Sequence, residues 1–176
     1  MILELTYYGN PILRKKAAAI PVITDEIRAF AADLVETMHH TKNGIGLAAP
    51  QVNRSIAIFV VQFPDEDNEE EVYVPGPIEF FINPKLLEVS SETWMHSEGC
   101  LSLPALYRDV ERPLKIKIQY QNLEGELLVK DFEGYEARMI LHENDHLNGV
   151  LFIDRLAPKE RKSIEPELRA IKKKYA

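Results

Sequence analysis

The sequence predicts an α+β fold in which largely antiparallel β-sheets surround a central helix, with one further helix near the N-terminus and one at the C-terminus. Three observations carry this prediction. Apolar residues recur at three- and four-residue spacing over 24–40, the signature of a helix with one buried face. Residues 114–121, LKIKIQYQ, alternate apolar and polar side chains, the period of a strand with one wet face. Strand-like segments precede and separate the helical ones without the regular alternation that parallel βαβ units impose, which leaves antiparallel pairing.

Taken in order, TDEIRAFAADLVETMHH (24–40) places Ile27, Phe30, Ala31, Leu34, Val35 and Met38 on one face. Thr24 is a suitable N-cap, Asp25 and Glu26 suit the positive end of the helix dipole, and the helix is expected to end near Gly44. SIAIFVVQF (55–63) is a β-branched and aromatic run and is read as a strand. PDEDNEEEVYVPGP (64–77) is acidic and bounded by proline, which predicts a solvated loop. After the alternating strand, NLEG (122–125) gives a hairpin and ELLVKDF its return. A second helix is predicted over about 134–147, starting after Gly134 and stopping before Asn148-Gly149, a pair suited to a left-handed cap. The tail APKERKSIEPELRAIKKKYA is helix-forming, with a break or restart at Pro166, where one backbone hydrogen bond is lost. Residues 1–157 are therefore read as one domain and 158–176 as a helical tail.

At 176 residues the chain can bury a core without disulfides or metal staples. Its 45% hydrophobic and 28% charged residues are ordinary for a soluble globular protein. A single cysteine, Cys100, forms no internal disulfide, which favours a reducing, cytoplasmic setting. The opening MILELTYYGNPILRKK lacks the apolar stretch of a signal peptide, and no run is long enough to span a bilayer. A formal net charge of −7 repels phosphate backbones and argues against specific DNA binding, although Lys172–Lys174 reverse the sign locally.

The predicted second helix carries HENDH. Four residues advance a helix by about 400°, so His142 and His146 project the same way and can grip one ion. Glu143 lies about 100° around, placed to contact water rather than to coordinate. Chance would produce such a pair in on the order of one chain in a hundred. A hydrolytic centre needs a third protein ligand and an open position. No histidine follows His146; Asp154 and the thiolate of Cys100 are the alternatives. GIGLAAPQ (44–51) ends in Gln51, whose amide can donate to developing negative charge. It lacks the third glycine of a dinucleotide fingerprint.

GIGLAAPQ, EGCLSLP and HENDHLNGVLF, in this order and spacing, resemble the three signature motifs of bacterial peptide deformylase, and the likeness extends over about residues 5–156. The resemblance implies a metallohydrolase domain in 1–157 that removes the formyl group from the formylmethionine of nascent polypeptides, through a metal-activated water. It implies one divalent ion, Fe(II) or a substituting Zn, Ni or Co, held by Cys100, His142 and His146. It implies Glu143 as general base, Gln51 and the Leu101 N–H as oxyanion donors, and backbone pairing of the peptide with Ile45, Gly46 and Gly99. Glu98 and Arg112 match a supporting ion pair, and the basic tail matches a ribosome contact known in some relatives. Three features depart from the family pattern: Leu141 stands where glutamine is frequent, the acidic 65–71 stretch is longer than usual, and Tyr107-Arg108 leaves the peptide-contacting arginine without a clear match.

Rival readings make separate demands. An ordinary HExxH endopeptidase needs a third ligand after His146 and tolerates loss of Cys100. A structural metal staple usually has four protein ligands, of which three are identifiable. An inactive relative would have no use for Glu143 and Gln51.

Overall fold

The computed structural model of the chain describes residues 1–42, 44–64 and 75–175. The first helix, α1 (Asp25–His40), starts where Thr24 accepts a hydrogen bond from the Ile27 amide and ends as the Thr41 hydroxyl caps the Met38 carbonyl. Five strands form one antiparallel sheet in the order β1 (Gly46–Ala48), β2 (Ile58–Pro64), β3 (Pro75–Val89), β6 (Lys115–Gln121), β7 (Leu127–Glu133). The intervening β4 (Thr93–Cys100) and β5 (Leu103–Pro113) pair only with each other, as a second antiparallel sheet. The α+β expectation with largely antiparallel sheet holds. The predicted loop at 64–77 is corrected at both ends, because Pro64 closes β2 and Pro75–Pro77 open β3; the acidic 65–71 stretch lies outside the described residues.

The β2 strand shows why the five-stranded sheet needs a helix on each face. Its residues are buried on both sides. Phe59, Val61 and Phe63 join one apolar cluster with Ala137, Ile140 and Leu141 of the central helix, α2 (Gly134–Leu147). Ile58 and Val60 join another with Phe30, Ala31 and Leu34 of α1. Each such side chain contributes about 1.5–3 kcal/mol by leaving water, so the period-2 pattern of β2 and the 3.6 pattern of each helix fix their mutual placement. The hairpin before β7 closes as expected: the Asn122 side chain accepts from the Glu124 and Glu126 amides, and Gly125 takes φ +82°.

The C-terminal helices are α3 (Pro158–Ser163) and α4 (Glu165–Tyr175), and a third cluster joins β5, the 151–156 segment and α4, with Ile164, Leu168 and Ile171 buried beside Leu103, Leu106 and Val110. The tail breaks at Ile164 and a helix restarts with Pro166 as the second residue of α4. There its missing N–H is one the first turn leaves unpaired in any case.

Candidate metal centre and hydrolytic site

α2 starts at Gly134 with φ +64° and stops at Asn148, before Gly149 with φ +71°. A Cβ at Gly149 would come within 2.6 Å of the Arg14 carbonyl, so the stop is fixed both by conformation and by space. Between these ends, α2 sets His142 and His146 on the face toward β4. The hairpin turn Leu101–Ser102 joins β4 to β5, with Cys100 opposite Leu103, and presents Cys100 to the same place. Donor atoms of Cys100, His142 and His146 all lie within 4.8 Å of one another. Cys100 Sγ is 3.3 Å from His146 Nε2.

These residues suit a divalent ion by the chemistry of their atoms. Metal–sulfur and metal–nitrogen bonds of about 2.3 and 2.0 Å in a tetrahedral shell place two ligands about 3.5 Å apart, close to the sulfur–nitrogen separation found. His142 Nδ1 lies 2.9 Å from Glu98 Oε1, so its proton is held by a carboxylate and Nε2 is left with a free lone pair, the usual way a ligating histidine is oriented. Asp154, the alternative third ligand, instead accepts from the Leu151 amide and pairs with Arg14.

Glu98 is buried, yet it is anionic. Burial alone would raise its pKa, but hydrogen bonds from His142 and Arg112, with the charge of Arg112, hold it at about 2. Arg112 donates from Nε (2.6 Å) and Nη2 (2.9 Å) to Glu98, and from Nη1 (2.9 Å) to Asp145. Glu143 is buried too, and burial pushes its carboxyl up to about 7, with Oε2 lacking any partner among the described residues. A buried carboxyl raised by burial beside three convergent donor atoms is a candidate for proton transfer.

A cavity of about 640 Å³ opens over these groups, between the β1 edge of one sheet and β4 of the other, and Ile45, Gly46, Gln51, Gly99, Leu101 and Glu143 line it. Two glycines are there for space. A Cβ at Gly46 would sit 2.7 Å from Glu143 Oε1, and one at Gly99 would sit 2.4 Å from the Tyr107 ring. Gln51 is 1% exposed; its Oε1 accepts from the Ala48 amide while Nε2 faces Cys100 Sγ at 3.5 Å and Ser102 Oγ at 3.2 Å. The amide end therefore points at the centre, and the opposite orientation would set two donors, the Gln51 amide and the Ala48 N–H, against each other.

The polypeptide deformylase family profile matches residues 2–162. The chain is 42% identical over 165 residues to a peptide deformylase of Thermotoga sp. strain RQ2, covering 94% of this chain and 93% of that protein. The chain belongs to the polypeptide deformylase family. Its fold is similar to the crystal structure of a plant peptide deformylase, with TM-score 0.88, 35% identity, and 98% and 90% of the two chains covered. It is likewise similar to that of the Thermotoga maritima peptide deformylase, with TM-score 0.77, 39% identity, and 90% and 99% covered. Like other deformylases it is a metal-dependent hydrolase that removes the formyl group from nascent polypeptides. No helix among the described residues is long and apolar enough to cross a membrane.

Sequence reasoning passed over two buried residues that are hydrogen-bonded into the candidate site. Arg138, the largest fully buried side chain among the described residues, donates from Nη1 to Glu98 Oε2 at 2.6 Å. Asp145 accepts from Arg112 and from Arg155, the latter at 2.8 and 3.2 Å. Arg138 stands four residues before His142 and Asp145 three after it, so the helical face that identified the histidine pair could have flagged them. The family's departures also have places in the fold. Leu141 turns into the apolar cluster under the five-stranded sheet. Arg108 faces Glu160 and Glu167 of the C-terminal helices, at 4.0 and 3.7 Å, while Tyr107 covers Gly99.

Proposed function

We propose that formyl-methionyl peptides are hydrolysed in the cavity between β1 and β4, with Cys100, His142 and His146 holding the divalent ion and Glu143 moving the proton. The convergence of those three donors beside a buried carboxyl of pKa about 7 supports this reading. A divalent ion so held supplies Lewis acidity and lowers the pKa of water toward about 7. Glu143 accepts the water's proton and returns it to the leaving amine, as base and then as acid. The Gln51 amide, by giving up its long contact to Cys100 Sγ, and the Leu101 N–H donate to the oxygen that gains charge as the formyl carbon becomes tetrahedral. Backbone groups of Ile45 and Gly46 on one side and Gly99 on the other align the extended peptide. Glu98 orients His142, and Arg112 keeps Glu98 in place.

Cys100→Ser tests the ligand set, because an alcohol is a poor anionic ligand where a bound thiol is deprotonated. Metal content and formyl-peptide turnover should fall together. Full occupancy in this variant would overturn the ligand assignment and favour the HExxH endopeptidase reading.

Fe(II) is the proposed native ion, with Zn, Ni and Co as substitutes, since a thiolate with two imidazoles accepts each of them and the family likeness favours iron. Metal analysis of protein purified without oxygen checks it. For the tail 158–176, the proposed partner is the ribosome. Arg169, Lys172, Lys173 and Lys174 are exposed while Leu168 and Ile171 are buried, so the basic side chains face outward on an otherwise acidic chain. Replacing Lys172, Lys173 and Lys174 by Glu should leave small-peptide turnover intact and abolish salt-sensitive cosedimentation with ribosomes. Unchanged cosedimentation would reduce the tail to a solvated helix face.

A further inference from the structure

Arg138 stands one helical turn before His142 on α2, so both side chains leave the helix on the same side. They reach the two oxygens of one carboxylate: Arg138 Nη1 donates to Glu98 Oε2 at 2.6 Å, and His142 Nδ1 meets Glu98 Oε1 at 2.9 Å. The two terminal nitrogens of the guanidinium also bond backbone of the second sheet, with Nη1 on the Val110 carbonyl at 2.8 Å and Nη2 on the Trp94 carbonyl at 2.7 Å. Its Cζ lies 4.6 Å over the Trp94 ring. Arg112 approaches Glu98 from β5, so the carboxylate is gripped from a strand and from the same helix that carries His142.

We propose that Arg138 is a positioning residue for the metal centre, holding the Glu98 carboxylate in the orientation that fixes the His142 ring and its tautomer. The inference rests on the reading that Cys100, His142 and His146 hold the ion. Two features carry it. The Arg138–Glu98–His142 triangle begins and ends on α2 while its carboxylate stands on β4, so each oxygen of Glu98 is tied to the helix that carries the histidine. The second cation also offsets the loss of solvation of a carboxylate that is only 7% exposed, where an anion survives only when charge-paired. A histidine turned by a neutral or tilted carboxyl would present its nitrogen off axis, and disturbing such an outer partner typically weakens metal binding about 10–100-fold.

The competing account makes Arg138 a clamp between α2 and the second sheet through the Trp94 and Val110 carbonyls alone. Zinc affinity, measured by competition with a chelator, separates the two when combined with the melting temperature of the metal-free protein. Arg138→Gln, which keeps hydrogen-bonding capacity but not charge, should weaken zinc binding at least about 10-fold. Arg138→Lys should retain most of the affinity while losing melting temperature with the carbonyl contacts. On an Glu98→Gln background, Arg138→Gln should weaken zinc no further, because its route to His142 is already cut.

Unchanged zinc affinity in Arg138→Gln, or an undiminished loss on the Glu98→Gln background, would overturn the proposal in favour of the clamp. If Arg138→Gln does not fold, Arg138→Lys decides, and a 10-fold loss in that variant refutes the charge argument. Cys100→Ser serves as the control. Zinc lost there but unaffected in the Arg138 variants refutes this inference alone, whereas zinc retained in Cys100→Ser refutes the ligand assignment beneath it.

Discussion

The two faces of α2 are held by opposite means. Toward the five-stranded sheet, Ala137, Ile140, Leu141 and Leu147 are buried among Phe59, Val61, Phe81 and Ile118. Toward the two-stranded sheet, Arg138, His142, Asp145 and His146 meet Glu98, Cys100 and Arg112. The apolar face tolerates small changes of rotamer and volume because its attraction has no direction. The charged face has little such freedom: Glu98 has each oxygen committed to named donors, and a displaced donor leaves a buried charge unmatched. Both faces hold α2 in place, but only the charged face fixes direction, which the proposed metal centre would require.

The largest expected effect sharpens this contrast from inside the site. Glu143→Gln conserves shape but cannot accept a proton, so turnover of formyl peptides should fall at least about 100-fold with metal content and melting temperature retained. Near-normal turnover would remove Glu143 from proton transfer and leave its unpartnered, buried oxygen unexplained.

Arg112→Met and Ile140→Ala compare the faces directly. Removing one partner of a buried ion pair costs about 3–5 kcal/mol, and truncating a buried isoleucine costs about 2–5 kcal/mol. Denaturant titrations should therefore give losses of similar size. The split should come in zinc affinity, which falls in Arg112→Met because Glu98 loses its bidentate donor, and stays near the parent value in folded Ile140→Ala. Equal loss of zinc in both would mean that the two faces of α2 are not independent.

Acid sharpens the same point. With Glu98 held at about 2 in the folded chain, against an ordinary 4.5, its ionisation contributes stability that is present above about 4.5 and is lost as pH falls toward 2. A depression of this size corresponds to roughly 3 kcal/mol. The stability gap between metal-free parent and Glu98→Gln should narrow over that window and stay constant above it. A constant gap down to pH 2 would show that Glu98 is not held anionic by its partners.

These two kinds of order were not equally visible in the sequence. Apolar periodicity gave α1 and β6, in each of which the buried side chains follow one period, whereas the turn residues gave the β6–β7 hairpin and the end signals at Gly134 and Asn148-Gly149 gave α2, which is buried without a break from Ala137 to Leu141. The second sheet escaped that reading. In β5 the buried residues are Leu103, Leu106, Val110 and Arg112: Ala105 at φ +61° shifts the phase between Leu103 and Leu106, and the charge of Arg112 hides the alternation that follows. In β3 the register shifts between Ile82 and Lys85 and between Leu86 and Glu88 break the alternation. At the site, HENDH and the lone cysteine carry a recognisable pattern. Arg138 and Asp145 look like surface charges, since what makes them special is a partner some forty residues away on a strand that local pattern does not reveal.

The smallest expected effect tests how far along the charged face this precision extends. Arg155 donates to both oxygens of Asp145, which also accepts from Arg112, so a line of alternating charge runs from Arg155 through Asp145, Arg112 and Glu98 to His142. Its outer end differs from its inner end in solvation: the Arg155 side chain is 48% exposed, against 3% for Arg112. Water can replace a guanidinium at the outer end, and Asp145 keeps Arg112 as a charge partner, so Arg155→Ala should cost at most about 1 kcal/mol, as for an exposed pair. Its influence on His142 has to pass through three further links, each already fixed by other contacts. Zinc affinity should accordingly stay close to the parent value, and combining Arg155→Ala with Arg138→Gln should give additive changes in stability, as expected of sites without shared partners. If Arg155→Ala instead weakened zinc binding as strongly as Arg138→Gln, the charged face would act as one rigid unit from surface to metal, and the boundary between precise site and ordinary surface would lie beyond α2.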